Sequence, residues 1–154
     1  MELAPPDRYA HPLSARYVSG EMERIFAPAF RFGTWRRLWL ALAEAQRDLG
    51  LDIPAGAITQ MRDHIDDIDL EAAARYERRF RHDVMAHIHL FGDVAPAARG
   101  ILHLGATSAF VGDNTDLIQH REAMTLVRGR IVGAIRALAR FFFFNVSGTT
   151  VFYT

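Results

Sequence analysis

The chain has no cysteine, so it can form neither a disulfide framework nor a thiolate metal site. It has no lysine either; all 18 basic side chains are arginine. A lysine Schiff base or a P-loop ammonium is therefore excluded within these residues. Net charge is missing too, at a formal +0, and no global field favours nucleic acid or an anionic membrane. No apolar run approaches the roughly 18 residues of a membrane span. The opening MELAPPDRYAHPL lacks the basic start and apolar stretch of a secretory signal. These absences point to a cytoplasmic globular protein with no membrane and no nucleic-acid partner.

What is present fits that class. Half of the 154 residues are hydrophobic and 23% are charged, enough for one domain with a core and part of another. Almost every periodic stretch is helical. In residues 30–51, Trp35, Leu38, Trp39, Leu42 and Leu49 recur at helical spacing and predict a buried stripe. Thr34 is suited to cap its start and Gly50 to end it. Pro54 suits the first turn of a helix over 54–64, and Asp69 suits the cap of LEAAARYERRF. The charges Glu71, Arg75, Glu77, Arg78 and Arg79 form the solvated face of that helix. A short helix over 83–92 should end at Gly92, checked by Pro96. After a Gly-rich turn, a long helix begins near an Asp113 or Asn114 cap and carries Leu117, Met124, Val127, Ile131, Ile135 and Leu138. The organisation expected is a helical domain over 1–111, a long helix over 112–140, and a tail over 141–154.

The tail differs in kind. All 18 arginines and all 18 acidic residues precede residue 141, and FFFFNVSGTTVFYT carries no charge. Its Phe, Val, Thr and Tyr favour extended structure, and it resembles a strand without gatekeeping charges.

Three of the seven histidines fall in RHDVMAHIHLFG, residues 81–92. A helical zinc pair needs histidines four apart. His82 and His87 are five apart and diverge by about 140° around the axis. His87 and His89 face nearly opposite ways, and His82 and His89 lie roughly 10 Å apart along one face. No pair chelates one ion from a regular helix. Arg81 and His82 instead stand at a helix start, where backbone N–H groups point outward. Arginine can fork onto a phosphate or carboxylate, histidine can add a donor, and Asp83 can orient the ring. The same three residues are also compatible with surface charges beside a satisfied histidine. HLGATS, residues 103–108, is a second anion candidate: Gly105 allows close backbone approach, and Thr107 and Ser108 bring hydroxyls before the next helix. Alone, it is equally a capping turn. Arg16-Tyr17 in SARYVSGEM is a weaker charged–aromatic pair.

SARYVSGEM, TWRRLWLALAEAQRDLGL, RHDVMAHIHLFG and HLGATSAFVGDNTDL together resemble adenylosuccinate lyase, in order and spacing, over about residues 9–140. The resemblance is to the animal-type branch of that enzyme. It implies an all-α fold: the N-terminal helical domain of the fumarase/aspartase superfamily plus the start of a long bundle helix. It implies a lyase of purine and AMP biosynthesis that eliminates fumarate from adenylosuccinate, and from the succinyl-carboxamide imidazole ribotide, with no metal and no cofactor. It places Arg16, Tyr17, Arg81, His82, Asp83, Thr107 and Ser108 in substrate binding. His82 would bind and orient substrate rather than act as general acid. The family's general-acid histidine and catalytic serine lie in stretches absent from these residues, so the chain alone is expected to be inactive. Full-length members form homotetramers. The alternative is a non-catalytic helical binding or regulatory module derived from the lyase. Residues 141–154 do not resemble the family and read as foreign sequence, from a frameshift or a misread translation.

Overall fold

The computed structural model describes residues 13–149. Every regular element among them is helical: α1 (Ser14–Tyr17), α2 (Gly20–Ile25), α3 (Pro28–Asp48), α4 (Ala55–Asp63), α5 (Leu70–Phe80), α6 (Asp83–Val94), a 3-10 turn (Pro96–Ala98) and α7 (Ser108–Thr149). The chain divides into two units, Met1–Gln119 and His120–Thr154. No helix among the described residues is long and apolar enough to cross a membrane.

The core of the first unit grows from α3. Trp35 and Trp39, one turn apart, are each 1% exposed and meet edge to face at 6.2 Å. Ala57, Ile58 and Met61 of α4 and Val84 and Phe91 of α6 close around them. Of the stripe predicted for α3, Trp35 and Trp39 are core and Leu38 and Leu42 partly buried, but Leu49, at the C-cap where the chain turns away, is 81% exposed, and Leu40 and Ala43 complete the buried face instead. Its start differs from expectation. Pro28 occupies the first turn, and Thr34 lies inside the helix, where its hydroxyl donates to the Phe30 carbonyl. A proline without an N–H fits the first turn at no cost, and that moves the boundary upstream. The end is as expected: Gly50 takes φ +92°, with Gly50 N–H donating to Arg47 O and Leu51 N–H to Gln46 O. This is a Schellman closure, which needs a left-handed residue.

One residue of that helix runs against the sequence pattern. Arg36 is 1% exposed, beside two tryptophan neighbours. One guanidinium nitrogen donates to the His64 carbonyl, and the group lies 4.4 Å over the Phe91 ring. Burial lowers its pKa to about 10, opposed by Asp67 and Asp66. At neutral pH it remains a cation, held by the carbonyl and the ring face.

Asp69 caps α5 as read from the sequence, accepting from Ala72 N–H at 2.9 Å, and Glu71, Arg75, Glu77, Arg78 and Arg79 are exposed. Helix α6, however, continues through Gly92 to Val94. Glycine serves close approach here, not termination. A Cβ at Gly92 would lie 2.8 Å from Arg99 Cγ, and Arg99 Nε donates to the Gly92 carbonyl at 2.8 Å.

Helix α7 opens at Ser108, five residues before the expected cap, and it includes Phe141–Phe144, which the residue preferences assigned to extended structure. Propagating an existing helix adds one hydrogen bond per residue fixed, whereas a strand needs a partner. Neighbouring helical turns therefore outweigh the β preference of phenylalanine. The second unit by itself is helical and exposes Met124, Ile131, Ile135, Leu138, Phe141 and Phe142.

Candidate functional site

The segment between α5 and α6 turns sharply. Arg81 ends α5 in the left-handed region, at φ 52°, and His82 is extended, at φ −154°. That turn makes His82 the N-cap of α6. Its Nδ1 accepts the Met85 N–H at 3.3 Å, the place usually taken by a serine or aspartate oxygen. A ring nitrogen that accepts carries no proton, so the proton of the neutral ring sits on Nε2. That Nε2–H points at Ser108 Oγ, 3.2 Å away. Asp83 was a candidate to orient the ring. Its Oδ1 instead accepts the Val84 N–H at 2.7 Å and stands 3.6 Å from His82 Nδ1, so a backbone amide sets the ring orientation.

Ser108 opens α7, and the turn before it is held from α3. His103 has φ 64° and Gly105 φ 71°. Two left-handed residues this close reverse the chain tightly, and for histidine that conformation is uncommon. Trp39 Nε1–H donates to His103 Nδ1 at 3.0 Å, and Gln46 Nε2 donates to the Leu104 carbonyl at 2.8 Å. Trp39 and Gln46 are seven apart on α3 and so share one face. His103 has its pKa lowered by burial and then by the nearby His82.

His82 and Ser108 come together where α6 and α7 begin, and His103 stands in the turn that leads into Ser108. Thr107 is exposed beside Ser108 in sequence and accepts the Phe110 N–H through its carbonyl. Arg81 is exposed and, with Ala74, Glu77 and Arg78, lines a surface cavity of about 670 Å³. Arg16 and Tyr17 lie on α1, both exposed; among the described residues no hydrogen bond or ion pair joins them to the His82–Ser108 group. Of the residues picked out from sequence, the structure brings His82 and Ser108 into contact, with Asp83 beside them. His103, which stood in the HLGATS stretch as a turn residue, is held from α3 by Trp39. Nothing in residue spacing marks His103: its role depends on an indole 64 positions away.

The other two histidines of the cluster stand apart. His87 is buried, stacked on Phe32 at 3.8 Å and edge-on to Trp35 at 5.4 Å. Its pKa falls to about 4, chiefly through burial and then through the Arg36 charge, with Asp83 opposing. His89 stacks on Phe80 at 4.4 Å and on Tyr76 at 5.5 Å. Among the described residues no group of three or more His, Asp or Glu could hold a metal ion.

Chemically, the His82 group is a set of donors. The His82 and His103 rings each accept an N–H at Nδ1, which leaves Nε2 as the donor, and Ser108 adds a hydroxyl at the start of α7. Donors of this kind suit anionic oxygens.

No protein-family model matches the chain. Adenylosuccinate lyase of Saccharomyces cerevisiae is 50% identical over 138 residues, covering 88% of this chain and 29% of that enzyme. The Schizosaccharomyces pombe enzyme is 50% identical over 135 residues, 86% of this chain and 28% of the relative. The Caenorhabditis briggsae enzyme is 38% identical over 151 residues, 97% and 32% respectively. The chain thus spans less than a third of the length of these curated relatives. With half its residues identical to the yeast enzymes over most of its own length, it belongs to the adenylosuccinate lyase family.

Proposed function

We propose that these residues supply a substrate-holding wall of an adenylosuccinate lyase site, and that the proton-transfer groups come from outside them. The observation that carries this reading is the 3.2 Å contact between His82 Nε2 and Ser108 Oγ, which joins RHDVMAH to HLGATS where two helices start. The reaction asks for such a wall. A base removes a proton from the carbon beside one carboxylate, the neighbouring C–N bond breaks as the C=C bond forms, and an acid protonates the departing nitrogen. Fumarate and AMP are the products, and the succinyl-carboxamide imidazole ribotide reacts alike. The substrate's phosphate and two carboxylates stay charged throughout, so donors and arginines are needed to bind and align them.

In this reading His82 and Ser108 donate to one anionic group, Arg81 and Thr107 flank it, and Arg16 and Tyr17 contribute from α1. Asp83 holds the opening turn of α6 through the Val84 N–H. No metal and no organic cofactor takes part. The working enzyme is a cytoplasmic homotetramer, and the exposed apolar residues of the second unit meet other copies. Those same residues favour a second reading, a non-catalytic helical module that inserts into lyase assemblies.

The purified 154-residue chain, given adenylosuccinate and followed for fumarate release, separates these claims. Binding without turnover is expected. Turnover would overturn the assignment of proton transfer to other residues, and absence of any binding would overturn the wall itself.

A further inference from the structure

The contact between α3 and the 103–108 turn has a consequence for the site. Trp39 is 1% exposed and sits in the middle of the core, against Phe91 and Trp35. Its ring otherwise needs only apolar neighbours. Its one polar atom, Nε1–H, has a single partner, His103 Nδ1, at 3.0 Å, with the two rings perpendicular at 89°. An indole N–H can only donate. Its partner nitrogen can therefore only accept, and the proton of the neutral His103 ring must sit on Nε2. The left-handed backbone at His103 and the Gln46 clamp on the Leu104 carbonyl fix where that ring is attached. Helix α3 thus sets position, tautomer and ring rotation of His103 at once. His82 is treated the same way by a different donor, since Met85 N–H fills its Nδ1.

We infer that Trp39 is a positioning residue of the anion site: through its indole N–H it locks His103, in the turn that leads into Ser108, as an Nε2–H donor. Protonating His103 requires a second hydrogen on Nδ1, which would face the indole hydrogen. The bond consequently favours a neutral donor over an imidazolium. Burial, the chief cause of the lowered His103 pKa, acts in the same direction. Trp39 never touches a ligand; its effect passes wholly through the His103 ring. The inference rests on the anion-site reading for its functional part and on the bond alone for its structural part.

Nitrogen-15 NMR on the full 154-residue chain tests both. The unmodified chain should show a through-hydrogen-bond coupling between Trp39 Nε1 and His103 Nδ1, with His103 in the Nε2–H form. Absence of that coupling, or an Nδ1–H ring, overturns the inference without any variant. Trp39→Phe keeps an aromatic core residue and removes the donor. It should let His103 sample both tautomers, raise its pKa, and weaken adenylosuccinate binding about tenfold, the loss of one hydrogen bond's worth of alignment. An unchanged tautomer in a folded Trp39→Phe chain refutes the lock. An unlocked tautomer with unchanged affinity refutes the functional role. If the unmodified chain shows the lock but binds no adenylosuccinate, the anion-site reading fails and the role of Trp39 in it falls too, while the bond stands.

Discussion

Replacing His82 separates its two tasks, because the ring caps α6 with one nitrogen and reaches Ser108 with the other. His82→Ala removes both. The lost cap leaves Met85 N–H without a side-chain acceptor, and capping losses of this kind cost about 1 kcal/mol, within a range of roughly 0.5–2. The Ser108 contact is exposed and neutral, and its net worth lies at or below the ~0.5 kcal/mol floor of ordinary hydrogen bonds. The expected destabilisation is therefore about 1 to 1.5 kcal/mol. For a chain of this size it lowers Tm by about 3–5 °C. His82→Asn should restore the cap, since asparagine is among the best capping residues, yet it is too short to reach Ser108. Its stability should return to within about 0.5 kcal/mol of the parent, while adenylosuccinate binding stays impaired. Urea unfolding followed by circular dichroism measures the first quantity, and calorimetric titration the second. A His82→Ala chain as stable as the parent, or a His82→Asn chain no more stable than the alanine variant, would refute histidine capping.

Three further outcomes follow from particular contacts. His87 has a folded-state pKa near 4 against 6.5 unfolded, so the unfolded chain binds the extra proton first. Stability is full above pH 6.5 and falls between 6.5 and 4, by on the order of 3 kcal/mol, and His87→Phe should flatten that slope in urea titrations across this range. Gly92→Ala gains helix propensity but forces Arg99 aside and breaks its bond to the Gly92 carbonyl; a net loss of about 1 kcal/mol is expected, and a rise in Tm would contradict the close approach. The exposed Ile131, Ile135, Leu138 and Phe142 should drive association, so the chain should elute well above 17.4 kDa on size exclusion, and a clean monomer would count against that role.

The helical class, the tryptophan core, the Asp69 cap and the Gly50 closure were legible because each depends on residues close in sequence. Periodicity reports a buried face, and cap chemistry reports a boundary. The same logic placed Arg81 and His82 at a helix start. What sequence patterns could not carry were effects that need a partner from elsewhere. Gly92 reads as a stop until Arg99 lies across it. Arg36 is buried only because the His64 carbonyl and Phe91 meet it, and both partners are distant in sequence. Phe141–Phe144 read as a strand because intrinsic preference ignores the helix already propagating into them. His103 was invisible as a site residue because Trp39, its reason for facing one way, looks like any core tryptophan. The part of the site that was legible is thus its motif-borne half; the half fixed through α3 emerges only from packing.

The most direct test of the central claim is a proton–nitrogen NMR titration of the 154-residue chain with adenylosuccinate. Shifts should concentrate at the His82 and His103 rings and at the amides that open α6 and α7, with the His87 ring unmoved. Shifts absent from those groups at millimolar ligand, or centred on His87 and His89 instead, would contradict it.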